Sequence, residues 1–201
     1  MPYSAWALSK KYFTNRLRNE MELGLVDQDI VNFLLYINEL DDFYTTSSCS
    51  GRIAIGTGET LSNKRAFKIV YKWHTPISTH ELEEAISELE PQGVTAWLLV
   101  RQPIIHIAVK SMDLALKVLH IAREAGFECS NILTIDEYRV VVEVVSQERF
   151  DTLLMRGGKL LYSRQQLNHL VNLANAVLVR GKSKLSRFEQ MFRKVFRGGT
   201  W

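Results

Sequence analysis

Twice along this chain, two short β-like runs are followed at once by a helix that opens on a capping serine. In the first instance Ile53-Ala54-Ile55 and Arg65–Trp73 (RAFKIVYKW) are joined by GTGETLSNK, and Ser78 with Glu81 then forms a capping box for a helix to about Leu89. In the second, Trp97–Val100 and Ile104–Val109 precede Ser111, the N-cap of a helix that ends before Gly126. A third strand pair, Ile132–Ile135 and Arg139–Val145, turns through Asp136-Glu137. This order predicts an α+β fold with a largely antiparallel sheet, built from two pseudo-repeated strand–strand–helix units.

Helices flank that centre. Trp6, Lys10, Phe13, Leu17 and Met21 recur at helical spacing, with basic residues off the apolar stripe. A second helix is expected to start near Asp27 or Asp29 and to bury Ile30, Phe33, Leu34, Ile37 and Leu40. From about residue 163 the chain reads as a basic helical segment. Ser163 caps a helix through Leu167, Leu170, Val171 and Ala174, and another buries Leu185, Phe188, Phe192 and Val195. With 201 residues, 46% of them hydrophobic, the chain suits one domain, or two intertwined lobes sharing a core. No apolar run approaches the roughly 18 residues of a membrane span. The start MPYSAWALSKKYF lacks the apolar core of a signal peptide, so the expected location is cytoplasmic. Cys49 and Cys129 stand outside any CxxC, which argues against a thiolate zinc site and a disulfide.

The net charge of +3 conceals an asymmetry. Residues 1–19 carry four basic residues and no acid, and residues 156–201 carry ten against Glu189 alone, whereas residues 20–155 sum to −10. Basic ends around an acidic centre point to a polyanion such as nucleic acid, against the plainer reading of solvated helix faces.

Several residues carry chemistry. Thr45-Thr46-Ser47-Ser48-Cys49-Ser50-Gly51-Arg52 places six hydroxyl or thiol side chains in a row before a glycine and an arginine. Hydroxyls, backbone N–H groups around a flexible glycine and a guanidinium fork suit a compact anion, phosphate or carboxylate. The alternative is a hydroxyl-rich edge strand with Arg52 in a salt bridge. Cys49 and Arg52 have two residues between them, not the five of a cysteine phosphatase loop. Gly56-Thr57-Gly58 follows an apolar strand but leads into another β-like run rather than a helix, so it reads as a hairpin turn and not a nucleotide loop. Taking the serine caps as equivalent aligns Trp73 with His106, so His74 and His106 are candidates for one cleft, where a neutral imidazole accepts a proton; each is equally readable as a core histidine bonded to backbone. Two histidines with no third ligand at metal spacing give no metal site. Arg139 and Glu143, four apart on one strand face, are expected to pair with each other.

The segments DQDI (27–30), FYTTSSCSGRI, VYKWHTPIS and QPIIHIAV resemble the tRNA wybutosine-synthesising protein 3 family. So do Ala122–Phe127, Gly158-Lys159-Leu160 and Val171-Asn172-Leu173-Ala174-Asn175, in the same order. The resemblance implies S-adenosylmethionine-dependent methylation, without a Rossmann fold, of N4 of the tricyclic 7-aminocarboxypropyl-demethylwyosine base at position 37 of tRNA-Phe. It departs from the pattern at Arg101-Gln102-Pro103, which replaces an aromatic-x-Glu-Pro of eukaryotic members. On this reading Ser47, Ser48, Cys49, Gly51 and Arg52 are expected to bind the donor carboxylate or an RNA phosphate, His74 and His106 are the candidate catalytic residues, and Trp73 is expected to stack on the base. Lys10, Lys11, Lys159, Arg180, Lys182, Lys184 and Arg187 are the expected contacts to the tRNA-Phe anticodon arm. A rival reading is a non-catalytic RNA-binding adaptor, and a second is an RNA hydrolase using the histidine pair.

Overall fold

The computed structural model describes residues 4–62 and 65–197, so the middle of the Ile53–Trp73 connector and the last four residues of the basic tail lie outside the described residues. In chain order the elements are α1 (Ala5–Glu22), α2 (Val31–Glu39), β1 (Phe43–Cys49), β2 (Arg52–Thr57), β3 (Lys68–Trp73), α3 (Thr79–Leu89), β4 (Ala96–Arg101), β5 (Ile104–Val109), α4 (Met112–Glu124), β6 (Asn131–Ile135), β7 (Val140–Val145), β8 (Phe150–Arg156), β9 (Lys159–Leu160) and α5 (Arg164–Val195). The fold is α+β and every strand pair is antiparallel. None of the described helices is long and apolar enough to cross a membrane.

The chain divides into two compact units. The first comprises residues 1–50, 103–147 and 182–201, and the second residues 51–102 and 148–181. In the first unit β1-β5-β7-β6 form a four-stranded sheet. Strand alternation sends Phe43, Ile105, Ile107, Val109, Val140, Val142 and Val144 to one face, where α2, α4 and the end of α5 close a core around Phe33, Phe127, Phe188 and Phe192. Phe192 is its hub, with Phe33, Phe43, Phe188 and Phe196 all within 5.8 Å of its ring centre. The opposite face carries Tyr44, Ala108 and Val141 beneath Trp6 and Phe13 of α1, with Phe13 stacked on Tyr44 at 5.4 Å. Arg139 donates from Nε to Asp136 at 2.7 Å and from Nη1 to the Tyr44 hydroxyl at 3.1 Å. Burial opposes the Arg139 charge, but those two bonds hold its pKa above the ordinary value. The expected Arg139–Glu143 pair is therefore replaced by bonds to Asp136 and Tyr44.

The second unit is built on the sheet β3-β2-β4-β8-β9, with Ile53, Ile55, Leu98, Val100 and Leu154 packed against α3 and the first part of α5. Ser78 and Glu81 make the capping box at α3, and Ser111 caps α4 by accepting from Leu114 N–H at 3.3 Å. The Ser78 bonds also lower the Glu81 pKa. Gly56 explains the GxG: a Cβ there would lie 2.3 Å from the Phe67 ring, so the glycine makes room for an aromatic side chain in the β2–β3 hairpin.

Four expectations change. The two C-terminal helices are one 32-residue helix, capped as foreseen by Ser163, which accepts from Gln166 N–H at 3.4 Å. Neither Asp27 nor Asp29 caps α2, whose N-cap is Ile30 without a side-chain bond. The strand read from Arg65 begins at Lys68. Of the two strand–strand–helix runs, only the first is a hairpin, since β4 and β5 belong to different sheets.

Candidate functional site

The hydroxyl-rich motif spans the end of β1, a turn and the start of β2. The chain leaves the first unit after Ser50 and enters the second at Gly51, where φ is +89°, a backbone region that favours glycine. Five polar residues from Thr45 to Cys49 sit on an edge strand, β1 pairing only with β5, so the edge-strand reading of this stretch holds for its first half.

Within the first unit the motif is pinned from behind. Ser50 is fully buried; its N–H donates to Asp27 Oδ2 at 2.7 Å, and its hydroxyl accepts from Lys182 Nζ at 3.0 Å. Lys182 also bonds Asp29, which gives both acids of the DQDI segment a task near the motif instead of at a helix terminus. Thr45 is engaged by the Asn38 amide at 2.7 Å. The side chains of Thr46, Ser47 and Ser48 make no hydrogen bond to other described residues. With Phe13, Arg16 and Glu20 of α1 facing them, they line a cleft of about 110 Å³.

A polar row crosses the same sheet. Ser47, His106, Glu143 and Asn131 are register partners on β1, β5, β7 and β6. His106 Nε2 lies 3.1 Å from Glu143 Oε1, and Asn131 donates to Glu143 Oε2 at 2.9 Å. Because a carboxylate accepts, Nε2 carries the hydrogen and the lone pair falls on Nδ1 of neutral His106. The sequence-based reading does not place Glu143 or Asn131 beside His106; the register of three strands, invisible in the sequence, brings them there. Cys49 is partly buried opposite Ile104 and is not in a disulfide.

Within the second unit, Arg52 opens β2 directly opposite Arg101 of β4, whose guanidinium is paired with Asp151. Gln102 donates to Val177 O at 2.8 Å. Trp73 closes β3 and stacks on Tyr71 at 5.8 Å with 10° between planes. His74 Nδ1 lies 3.0 Å from the carbonyl of Gly51, so Nδ1 donates and Nε2 is the basic nitrogen. His74 and His106 belong to different units. Among the described residues no group of three His, Cys, Asp or Glu side chains is placed to hold a metal ion.

The basic residues separate into engaged and open ones. Lys10 donates to Leu40 O, and burial lowers its pKa although Asp41 pulls the other way. Lys182 is held as described, Arg180 pairs with Glu148 at 3.1 Å, and the Lys184 stem lies against Gly126. Lys11, Lys159 and Arg187 are exposed.

Residues 8–194 match the family described as Methyltransferase TYW3. The chain belongs to the TYW3 family. A relative from Pyrococcus abyssi is 38% identical over 187 residues, covering 93% of this chain and 95% of its own length; it is named tRNA(Phe) 7-((3-amino-3-carboxypropyl)-4-demethylwyosine(37)-N(4))-methyltransferase 1. A relative from Saccharolobus solfataricus, bearing that name without the final numeral, is 35% identical over 187 residues, with 92% and 88% covered. The PH1069 protein of Pyrococcus horikoshii superposes with a TM-score of 0.85 at 37% identity over 90% of this chain and 93% of that one. A hypothetical protein from Aeropyrum pernix gives 0.72 at 30% identity over 85% and 99%. The PH1069 structures share this chain's α+β architecture, in which the strand pairs are antiparallel rather than Rossmann-like.

Proposed function

We propose that this TYW3 protein transfers the methyl group of S-adenosylmethionine to N4 of 7-(3-amino-3-carboxypropyl)-4-demethylwyosine at position 37 of tRNA-Phe, in the cytoplasm. The observation that carries the reading is the family match over residues 8–194, together with relatives of nearly equal length that bear this activity in their names.

The donor supplies an electrophilic methyl on a sulfonium, and transfer to nitrogen is an in-line displacement, so the protein's work is alignment and proton removal. The residues suit such a donor. In the first unit the Ser47 and Ser48 hydroxyls have no partner among the described residues; in the second, Gly51 allows a close backbone approach and Arg52 carries a guanidinium fork suited to a carboxylate or a phosphate. Pinning of Ser50 by Asp27 and Lys182 holds this segment without occupying its outward hydroxyls. His74 is oriented by Gly51 O, which makes Nε2 its basic nitrogen and the atom that would take the proton. Trp73, immediately before it, offers a ring face to the tricyclic base. His106 is oriented by Glu143, which leaves Nδ1 as its basic nitrogen, and it is the second candidate base. Lys11, Lys159 and Arg187 are the open charges we assign to the anticodon arm; Lys10 and Lys182 are assigned to the fold, because their ammonium groups are engaged inside it.

The test incubates purified protein with methyl-labelled S-adenosylmethionine and tRNA-Phe bearing the demethylated base. Label appearing in the tricyclic nucleoside supports the reading. Donor binding without transfer to a competent tRNA counts against it, RNA binding without donor binding favours an adaptor, and cleavage of the tRNA without donor favours the hydrolase.

A further inference from the structure

We infer that Arg16 and Glu20 of α1 recognise an α-amino-α-carboxylate head group in the cleft beside the hydroxyl-rich strand. The inference rests on the methyltransferase reading, because both molecules of that reaction carry such a group. S-adenosylmethionine ends in one, and the base in the relatives' names bears a 3-amino-3-carboxypropyl substituent.

Charge and hydrogen-bond capacity select the ligand. Arg16 Nε donates to Glu20 Oε1 at 2.7 Å, and this is the only bond either side chain makes among the described residues. Nη1 and Nη2 of Arg16 and Oε2 of Glu20 are left for something else. A plain anion meets the Glu20 carboxylate, a plain cation meets the Arg16 guanidinium, and a neutral ligand gains from neither. A zwitterionic head satisfies both at once, its carboxylate on the two Nη groups and its ammonium on Oε2, an arrangement of charge-assisted bonds.

Size and surroundings agree. The cleft is about 110 Å³, suited to an amino-acid head and small for a tricyclic base. Thr46, Ser47 and Ser48 line the cleft too, and their hydroxyls have no partner among the described residues; Ser47, paired with His106, shares the sheet face of Tyr44, and a hydroxyl can serve either a carboxylate or an ammonium. Phe13, held against Tyr44, lines the cleft beside the aliphatic part of such a tail. The ordinary alternative is a solvated i,i+4 pair worth about 0.2–0.5 kcal/mol to the helix; it explains the bond but not why the pair faces uncommitted hydroxyls across a cleft.

The experiment uses the full chain and the variants Arg16→Gln and Glu20→Gln, each checked for an unchanged melting temperature. In one arm, calorimetry compares S-adenosylhomocysteine with 5′-methylthioadenosine, which lacks the amino-acid tail. In the other, kcat/KM is compared for tRNA bearing the aminocarboxypropyl base and tRNA bearing the unsubstituted tricyclic base. If the donor's tail occupies the cleft, the variants weaken S-adenosylhomocysteine about 10–100-fold and leave methylthioadenosine unchanged. If the base's tail occupies it, the variants lose a similar factor for the substituted tRNA alone. Folded variants that match wild type in both arms overturn the inference. A wild-type protein that methylates neither tRNA sinks the methyltransferase reading instead; a selective loss of S-adenosylhomocysteine binding in the variants then still supports the cleft, and unchanged binding overturns it.

Discussion

Asp27→Ala tests whether the motif is held from behind as described. Asp27 Oδ2 accepts the Ser50 N–H at 2.7 Å, and Ser50 is fully buried, so the alanine variant takes the carboxylate away from a backbone donor on a buried residue. Hydrogen bonds to charged groups contribute about 1.5–3 kcal/mol, and an abandoned buried donor costs about 1–3 kcal/mol. A loss of about 2–3 kcal/mol is expected. It is read as a lower urea midpoint at constant m-value, or as a fall in melting temperature of about 2–4 °C per kcal/mol for a chain of this size. A carboxamide retains an acceptor oxygen, so Asp27→Asn is expected to lose only about 1 kcal/mol. Because Ser50 adjoins Gly51 and Arg52, methyl transfer in Asp27→Ala should fall further than stability alone explains at a temperature where the variant is fully folded. An alanine variant that unfolds with wild-type midpoint and methylates at the wild-type rate refutes the idea that Asp27 anchors the motif.

Other perturbations follow from the same structure. His74→Ala should lower single-turnover methylation at least about 100-fold while donor affinity stays within a factor of a few, and a wild-type single-turnover rate would dismiss His74 as the base. Arg52→Lys keeps the charge but loses the fork, so methylation should fall severely, and near-normal turnover would make Arg52 a structural partner only. Phe192→Ala removes the hub of the aromatic core and should cost about 3–5 kcal/mol in a denaturation measurement; a loss below about 1 kcal/mol contradicts the packing. Neutralising Lys11, Lys159 and Arg187 together should flatten the slope of log tRNA affinity against log salt by roughly 0.7–0.9 per lost phosphate contact, with donor binding intact; an unchanged slope assigns these charges to solvation.

That last experiment replaces a truncation the charge pattern alone recommends. Removing residues 184–201 deletes basic residues, but it also deletes Leu185, Phe188, Phe192 and Phe196, which are buried core. Sequence periodicity discloses Leu185, Phe188 and Phe192, although it points to Val195 where Phe196 is the buried residue. It also discloses the capped starts of α3, α4 and α5, because each is a local signal within a few residues. It does not disclose that α5 is continuous. Gly181, in the stretch between the two apolar runs, costs a helix about 1 kcal/mol, and burial on either side outweighs it. Strand partners are the least legible feature. β8 lacks a clean alternation and β9 has only two residues, so neither stands out, and the separation of β4 from β5 into different sheets is a long-range choice. At the site, the serines, Arg52, Trp73 and His74 are legible as residue types that chemistry needs. Glu143 and Asn131 are not, because only strand register places them beside His106. The charge pattern treats Lys10 and Lys182 as open; burial and specific acceptors show them engaged within the fold.

The central claim is settled most directly by mass spectrometry of tRNA-Phe from a strain of the source organism lacking this protein. The account predicts that the tricyclic nucleoside at position 37 is lighter by one methyl and that restoring the intact chain returns that methyl. An unchanged nucleoside in the deletion strain would contradict it.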